Sequence, residues 1–206
     1  ESEIIELKKL LNFKIDRNKI IFTGRVLNIS GGTFAKTMVV NGGKLDGIKK
    51  GQPVVFVSAH FSNFELMAMV IERAGVNLSA IYRPLNNKMV NSIMEPLRKR
   101  YICKNQIKKG IGGLKKLISF KNKNLSTALM IDQRVSEGIL SNFFNEKALT
   151  TTIPAQLVKK FNIPIVPLYI ERVDGLKFKI YINEPIFFSK ETSIKTITDE
   201  LNKILE

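Results

Sequence analysis

The chain's one histidine, His60, stands five residues before Glu65 in the segment Val57-Ser58-Ala59-His60-Phe61-Ser62-Asn63-Phe64-Glu65. A short apolar run delivers His60 into a loop, and a helix begins two or three residues later. Glu65 then falls in the first helical turn, from which its carboxylate could reach back to the imidazole. A carboxylate on one ring nitrogen fixes the tautomer and stabilises the imidazolium, leaving the other nitrogen to take a proton from a hydroxyl. No serine or cysteine nucleophile is required if that hydroxyl belongs to the substrate. A plainer reading stands beside this one. Ser62-x-x-Glu65 also fits a capping box, in which Glu65 serves the helix end and His60 is a structural histidine.

Two further clusters carry groups suited to binding. Arg83 opens the segment Tyr82-Arg83-Pro84-Leu85-Asn86-Asn87 at a strand end, and Arg98 follows fifteen residues later on a helix. Guanidinium groups offer planar, permanently charged donors that match phosphate. Asp132-Gln133 closes another apolar run, where Asp132 could orient an arginine or shape a pocket. For Arg98 the bland alternative is a solvated helix face, and for Asp132 a strand-end turn residue.

The elements that must position these groups read as strands alternating with helices. Val54–Ser58, Leu78–Tyr82 and Leu125–Ile131 are short apolar runs that predict buried strands. Asn63–Ala74 predicts a helix ended by Gly75, and Lys88–Arg100 a helix kinked or restarted near Pro96. Ile153–Phe161 predicts another helix. Ile163–Arg172 and Leu176–Asn183 predict two strands joined through Asp174-Gly175, and a last helix starts at Thr192 or Ser193. Upstream, Ser2–Phe13 reads as an amphipathic helix and Met38–Val40 as a short strand, and Gly113–Phe120 as a short basic helix. The alternation implies an α/β domain with a mostly parallel central sheet flanked by helices and a C-terminal antiparallel hairpin. In such sheets ligands gather at the carboxyl ends of the strands, where His60, Arg83 and Asp132 all fall. No repeat or linker divides the 206 residues, so one domain is expected.

Composition narrows the classes. One cysteine, Cys103, allows neither an intramolecular disulfide nor a cysteine-based zinc site, and one histidine excludes a multi-histidine metal site. Lysine and arginine number 33 against 18 aspartate and glutamate, a net charge of +15, which implies anionic partners. From Pro96 to Ile131 there is no acidic residue and there are ten basic ones: Arg98, Lys99, Arg100, Lys104, Lys108, Lys109, Lys115, Lys116, Lys121 and Lys123. Such a run could dock an anionic lipid surface or an acidic carrier protein, or it could be a solvated face. Only Tyr101 and Phe120 interrupt it, a poor stacking platform for nucleic acid. A basic nucleic-acid-binding domain is therefore a rival from another class, distinguished by salt-sensitive binding without turnover. No apolar run reaches the ~18 residues of a membrane span. The first residue is Glu1 rather than Met, so an upstream anchor is expected to be missing.

His60 and Glu65 match the H-x4-D/E signature of the glycerolphosphate acyltransferase superfamily. Together with "VVFVSAHFSNFEL", "YRPLNN", "DQ" at Asp132-Gln133, "FF" at Phe143-Phe144 and "IPIVPLYIER", they resemble the late acyltransferases of lipid A biosynthesis over about Gly51 to Pro185. The resemblance implies transfer of a fatty acyl chain from an acyl carrier protein thioester, or a coenzyme A thioester, to a hydroxyl of a phosphorylated lipid A precursor. It implies His60 as general base with Glu65 as its orienting partner, no metal or cofactor, and Arg83, Arg98, Asp132 and Gln133 as substrate-binding residues, Arg98 and Asp132 matching residues the family requires. A relative with another acceptor, such as glycerol phosphate or a glycosylated phosphatidylinositol, is the alternative. Phe61, Phe64, Met67, Phe143 and Phe144 are candidates for an acyl groove. Expected partners are acyl carrier protein, the glycolipid acceptor and an anionic membrane surface, without nucleic acid. The expected location is the cytoplasmic face of the inner membrane.

Overall fold

The protein is described by a computed structural model, which covers the backbone of residues 20–23, 26–31 and 35–40 and the residues 52–109, 124–175 and 177–206 in full. Its strands are β1 (Ile20–Thr23), β2 (Val26–Gly31), β3 (Ala35–Val40), β4 (Val55–Ser58), β5 (Leu78–Tyr82), β6 (Asn105–Lys108), β7 (Ser126–Met130), β8 (Ile139–Phe143), β9 (Glu146–Thr150), β10 (Ile165–Asp174) and β11 (Lys177–Ile182). The helices are α1 (Glu65–Arg73), α2 (Lys88–Tyr101), α3 (Ile153–Phe161) and α4 (Ile194–Leu205).

Nine strands form one sheet in the order β1-β2-β3-β11-β10-β4-β7-β5-β6, and β8 and β9 form a separate antiparallel pair. The run β10-β4-β7-β5-β6 is parallel throughout. β10 and β11 form the expected C-terminal antiparallel hairpin. The expected fold class, α/β with a mostly parallel central sheet flanked by helices, is the one observed.

β4 shows how sequence alternation builds the layers. Val54 and Phe56 join Met67, Val70 and Ile71 of α1 and Phe178 and Ile180 of β11 in one buried cluster. Val55 and Val57 join Ala155, Leu157 and Val158 of α3 and Ile197 and Leu201 of α4 in another. Consecutive strand residues point to opposite faces, so a strand covered on both sides must be apolar at every position. That is why Val54-Val55-Phe56-Val57 is an unbroken apolar run. Removing one large member of these clusters, such as Phe56 with no exposed surface, would cost about 3–5 kcal/mol as Phe→Ala.

Five strands are not apparent from the sequence. β6 is polar apart from Ile107 because it is an edge strand, with only Ile107 fully buried. β8 and β9 are joined by Phe144 and Asn145, both at positive φ, +50° and +63°. A phenylalanine in that region is unusual, so the turn has no Asn-Gly or Asp-Gly signal. β1 and β2 carry no clear strand pattern ahead of the expected Met38–Val40 strand, which extends back to Ala35 as β3. α2 runs through Pro96 as one helix. The expected helices over Ser2–Phe13 and Gly113–Phe120 lie outside the described residues.

Candidate active site

The register of two parallel strands brings the site together. In the β4–β7 pair Ser58 sits opposite Met130, and the ladder continues one step through the Ile131 N–H donating to the Ser58 carbonyl at 3.0 Å. His60 and Asp132 each lie two residues past that pair, so they emerge side by side at the carboxyl edge. Asp132 then grips His60 twice. One carboxylate oxygen meets the ring Nδ1 at 2.8 Å, and the other accepts the backbone N–H of His60 at 3.0 Å. A carboxylate can only accept, so Nδ1 carries the proton and Nε2 is the ring's acceptor. Phe64 stands edge-on to the imidazole with ring centroids 4.6 Å apart.

Glu65 is engaged elsewhere, which corrects the expected pairing. Its Oε1 accepts from Nε of Arg98 at 2.7 Å, with the arginine side chain 15% and the glutamate 34% exposed. The capping box is not formed either. α1 starts at Glu65 itself, its N-cap is Phe64 with no side-chain cap, and Ser62 is turned to φ +42°. Asp132, for which the sequence allows an arginine-orienting, pocket-shaping or plain turn role, holds the histidine, and Glu65 holds the arginine.

Arg98 belongs to the last turn of α2, which a second set of contacts docks on the sheet. Asn87 caps α2 by accepting the N–H groups of Met89 and Val90, a cap typically worth ~1 kcal/mol. Asn91 accepts the Leu85 N–H at 2.9 Å and donates to Glu95 at 2.8 Å. Glu95 also receives Lys108 Nζ at 2.9 Å and the Tyr82 hydroxyl. Hydrogen bonds from Asn91, Lys108 and Tyr82 hold the Glu95 carboxyl down at about 2. Burial, reinforced by Glu95, pushes the Tyr82 hydroxyl up to about 12, so it is a neutral donor at any working pH. The Arg98 guanidinium lies 5.8 Å over the Tyr82 ring. Nη1 of Arg98 is buried without a hydrogen-bond partner, a costly state that a bound anion would relieve.

These groups surround a pocket of about 430 Å³. Of the residues singled out from sequence, His60, Phe64, Glu65, Arg83, Arg98 and Gln133 line it, and Asp132 supports His60 from behind. The remaining acyl-groove candidates lie elsewhere. Met67 is 1% exposed in the core, and Phe61 packs against that core and against Tyr169. Phe143 and Phe144 meet edge to face at the β8–β9 turn. The apolar wall is formed by smaller residues instead, among them Ala68, Ala80, Ile81, Ile102, Ala128 and Ile153. Alanines are what a strand or helix must carry where a ligand takes the space of a side chain, a signal that composition alone does not separate from ordinary packing. Gln106, Lys109 and Thr151 also reach the pocket and were not anticipated as lining residues. Lys109 comes from the basic run and lines the pocket, whereas its neighbour Lys108 pairs with Glu95. Lys115, Lys116, Lys121 and Lys123 lie outside the described residues.

A histidine clamped by a carboxylate, beside an arginine with an unsatisfied donor and an apolar pocket wall, is suited to general-base chemistry on a ligand that is part anionic and part apolar. The family comparison narrows that class. Residues 18–206 match the family described as bacterial lipid A biosynthesis acyltransferase, and the chain belongs to that family. It is an acyltransferase. No curated protein matches the chain. Among the described residues, no helix is long and apolar enough to cross a membrane.

Proposed function

We propose that the protein transfers a fatty acyl chain from an acyl carrier protein thioester to a hydroxyl of a phosphorylated lipid A precursor, working as a single domain at the cytoplasmic face of the inner membrane. The observation that carries this reading is the double grip of Asp132 on His60 at the wall of the pocket. With Nδ1–H donated to Asp132, Nε2 takes the proton of the acceptor hydroxyl as its oxygen attacks the thioester carbonyl. The C–S bond then breaks, and the imidazolium returns the proton to the departing sulfur. A positioned base of this kind contributes about 10²–10⁴-fold, and Asp132 stabilises the charge that His60 acquires.

The attack places negative charge on the carbonyl oxygen, which needs preorganised donors. The unsatisfied Nη1 of Arg98 is the donor we assign to it. Glu65 then acts through Arg98, holding the guanidinium rather than the imidazole. Arg83, exposed at the pocket mouth, and Gln133 are assigned to the acceptor's phosphate and sugar. The acyl chain lies along the alanine and isoleucine wall with Phe64.

The test is turnover by the purified protein with acyl carrier protein thioester and a lipid A precursor, read by mass spectrometry of the lipid and by thiol release. Acceptor-dependent thiol release with one added acyl mass is expected, lost in His60→Ala. Thiol release that ignores the acceptor would make the protein a thioesterase instead, and full activity in well-folded His60→Ala would place the base elsewhere.

A further inference from the structure

α2 is built inside out. Asn91, Glu95 and Arg98, at i, i+4 and i+7, share one face and turn it toward the rest of the protein: Asn91 donates to Glu95, Glu95 accepts from Lys108 of β6, and Arg98 pairs with Glu65 of α1. Met89, Ile93 and Pro96 repeat the same spacing on another face, and that face is exposed. Met89 is 75% and Ile93 57% exposed, and Val90 in the same helix is exposed as well. No residue of α2 is fully buried. A helix on a soluble surface normally shows the reverse arrangement, so its outward side is formed for an apolar environment.

The charges around this face say which environment. Lys88, Lys99 and Arg100 of α2 and Arg83 of the preceding loop are all exposed. The single acidic residue between Tyr82 and Tyr101 is Glu95, turned inward among Asn91, Lys108 and Tyr82. An apolar stripe with Met and Ile at its centre and cations at its margins matches a helix lying in the interface of an anionic bilayer, apolar side down. The face is joined to the pocket along the chain: Tyr82, Arg83, Pro84, Leu85 and Asn86 line the pocket and lead directly into α2, whose first turn carries Met89. We propose that the outward face of α2 and the Arg83–Leu85 loop seat the enzyme on an anionic lipid leaflet, with the pocket mouth at the lipid surface. This deepens the function proposed above, since a lipid acceptor is what makes a bilayer the neighbour of the mouth.

The chain contains no tryptophan, so Met89→Trp installs a single reporter of depth. With vesicles of phosphatidylcholine and phosphatidylglycerol its emission should shift to the blue and be quenched by brominated lipid, while a Lys203→Trp reporter on α4 stays solvent-like. Met89→Ser/Ile93→Ser should weaken vesicle binding by about tenfold or more with unchanged thermal unfolding and unchanged turnover of detergent-dispersed substrate. Lys88→Gln/Lys99→Gln should flatten the salt dependence of binding. An unshifted Met89→Trp together with unchanged vesicle binding in the serine variant would overturn the proposal. So would a serine variant that binds vesicles normally but loses affinity for acyl carrier protein, which would make the face a protein-docking surface. Turnover of detergent-dispersed substrate by the unmodified chain is a separate readout: its absence counts against the acyl-transfer reading and leaves the lipid-binding result standing.

Discussion

His60 depends on Asp132 for both its ring orientation and its backbone position, so Asp132→Asn is the most informative single change. The amide can hold only one of the two contacts as an acceptor, and it can present N–H to the ring and favour the wrong tautomer. kcat should fall by about 10²–10⁴ with KM much less affected, and the melting temperature should barely move because both side chains are partly exposed. Glu65→Gln separates the two carboxylates. It keeps an acceptor for Arg98 Nε but removes the charge, so a smaller loss of kcat than in Asp132→Asn is expected. A loss as large as that of Asp132→Asn would count against this division of roles.

At the level of elements, α2, β5 and β6 are tied by Glu95. Its carboxyl is held down at about 2 in the folded protein against an ordinary 4.5. A depressed folded value contributes stability that is present above the unfolded value and lost as pH falls through the folded one. Denaturant midpoints of the wild type should therefore drop between about pH 4.5 and 2 more steeply than those of Glu95→Gln, which has no such proton to bind. The β8–β9 hairpin is anchored differently. Asn202 of α4, 1% exposed, donates to Ser141, the Asn142 carbonyl and Thr150, and Gly138 passes close to β9. A Cβ at Gly138 would lie 2.5 Å from the Thr150 carbonyl oxygen, a backbone atom that cannot rotate away. Gly138→Ala should cost about 1–3 kcal/mol, which lowers the melting temperature by roughly 2–4 °C per kcal/mol in a chain of this size. Thr151, the next residue, lines the pocket, so turnover should fall with stability.

For the whole molecule the net charge of +15 is a statement about partners and salt. The described part of the basic run does not form one uniform surface: Lys108 is paired with Glu95 and Lys109 faces the pocket. Vesicle binding should accordingly weaken as ionic strength rises, since the screening length falls from about 30 Å at 0.01 M to about 3 Å at 1 M, yet keep an apolar remainder that salt does not remove. Co-sedimentation across a salt series checks this. Binding abolished by salt would mean a purely electrostatic attachment.

The parallel core of the sheet and its carboxyl edge were legible from local patterns. Short, β-branched apolar runs such as Val54–Val57 read as strands covered on both faces, with polar ends where His60, Arg83 and Asp132 stand. Ile153–Phe161 and Leu78–Tyr82 were legible to the residue because their boundaries carry local signals. The tertiary structure alone decided which carboxylate meets the histidine. Glu65 is five residues away along the chain and Asp132 seventy-two, but the register Ser58 opposite Met130 makes the distant one the neighbour. Register is set by pairing across the sheet and leaves no trace in either segment read alone. The same holds for α2, whose two faces are both plausible from periodicity. Only the packing of Asn91, Glu95 and Arg98 against β5, β6 and α1 shows that the polar face turns inward and the apolar face out.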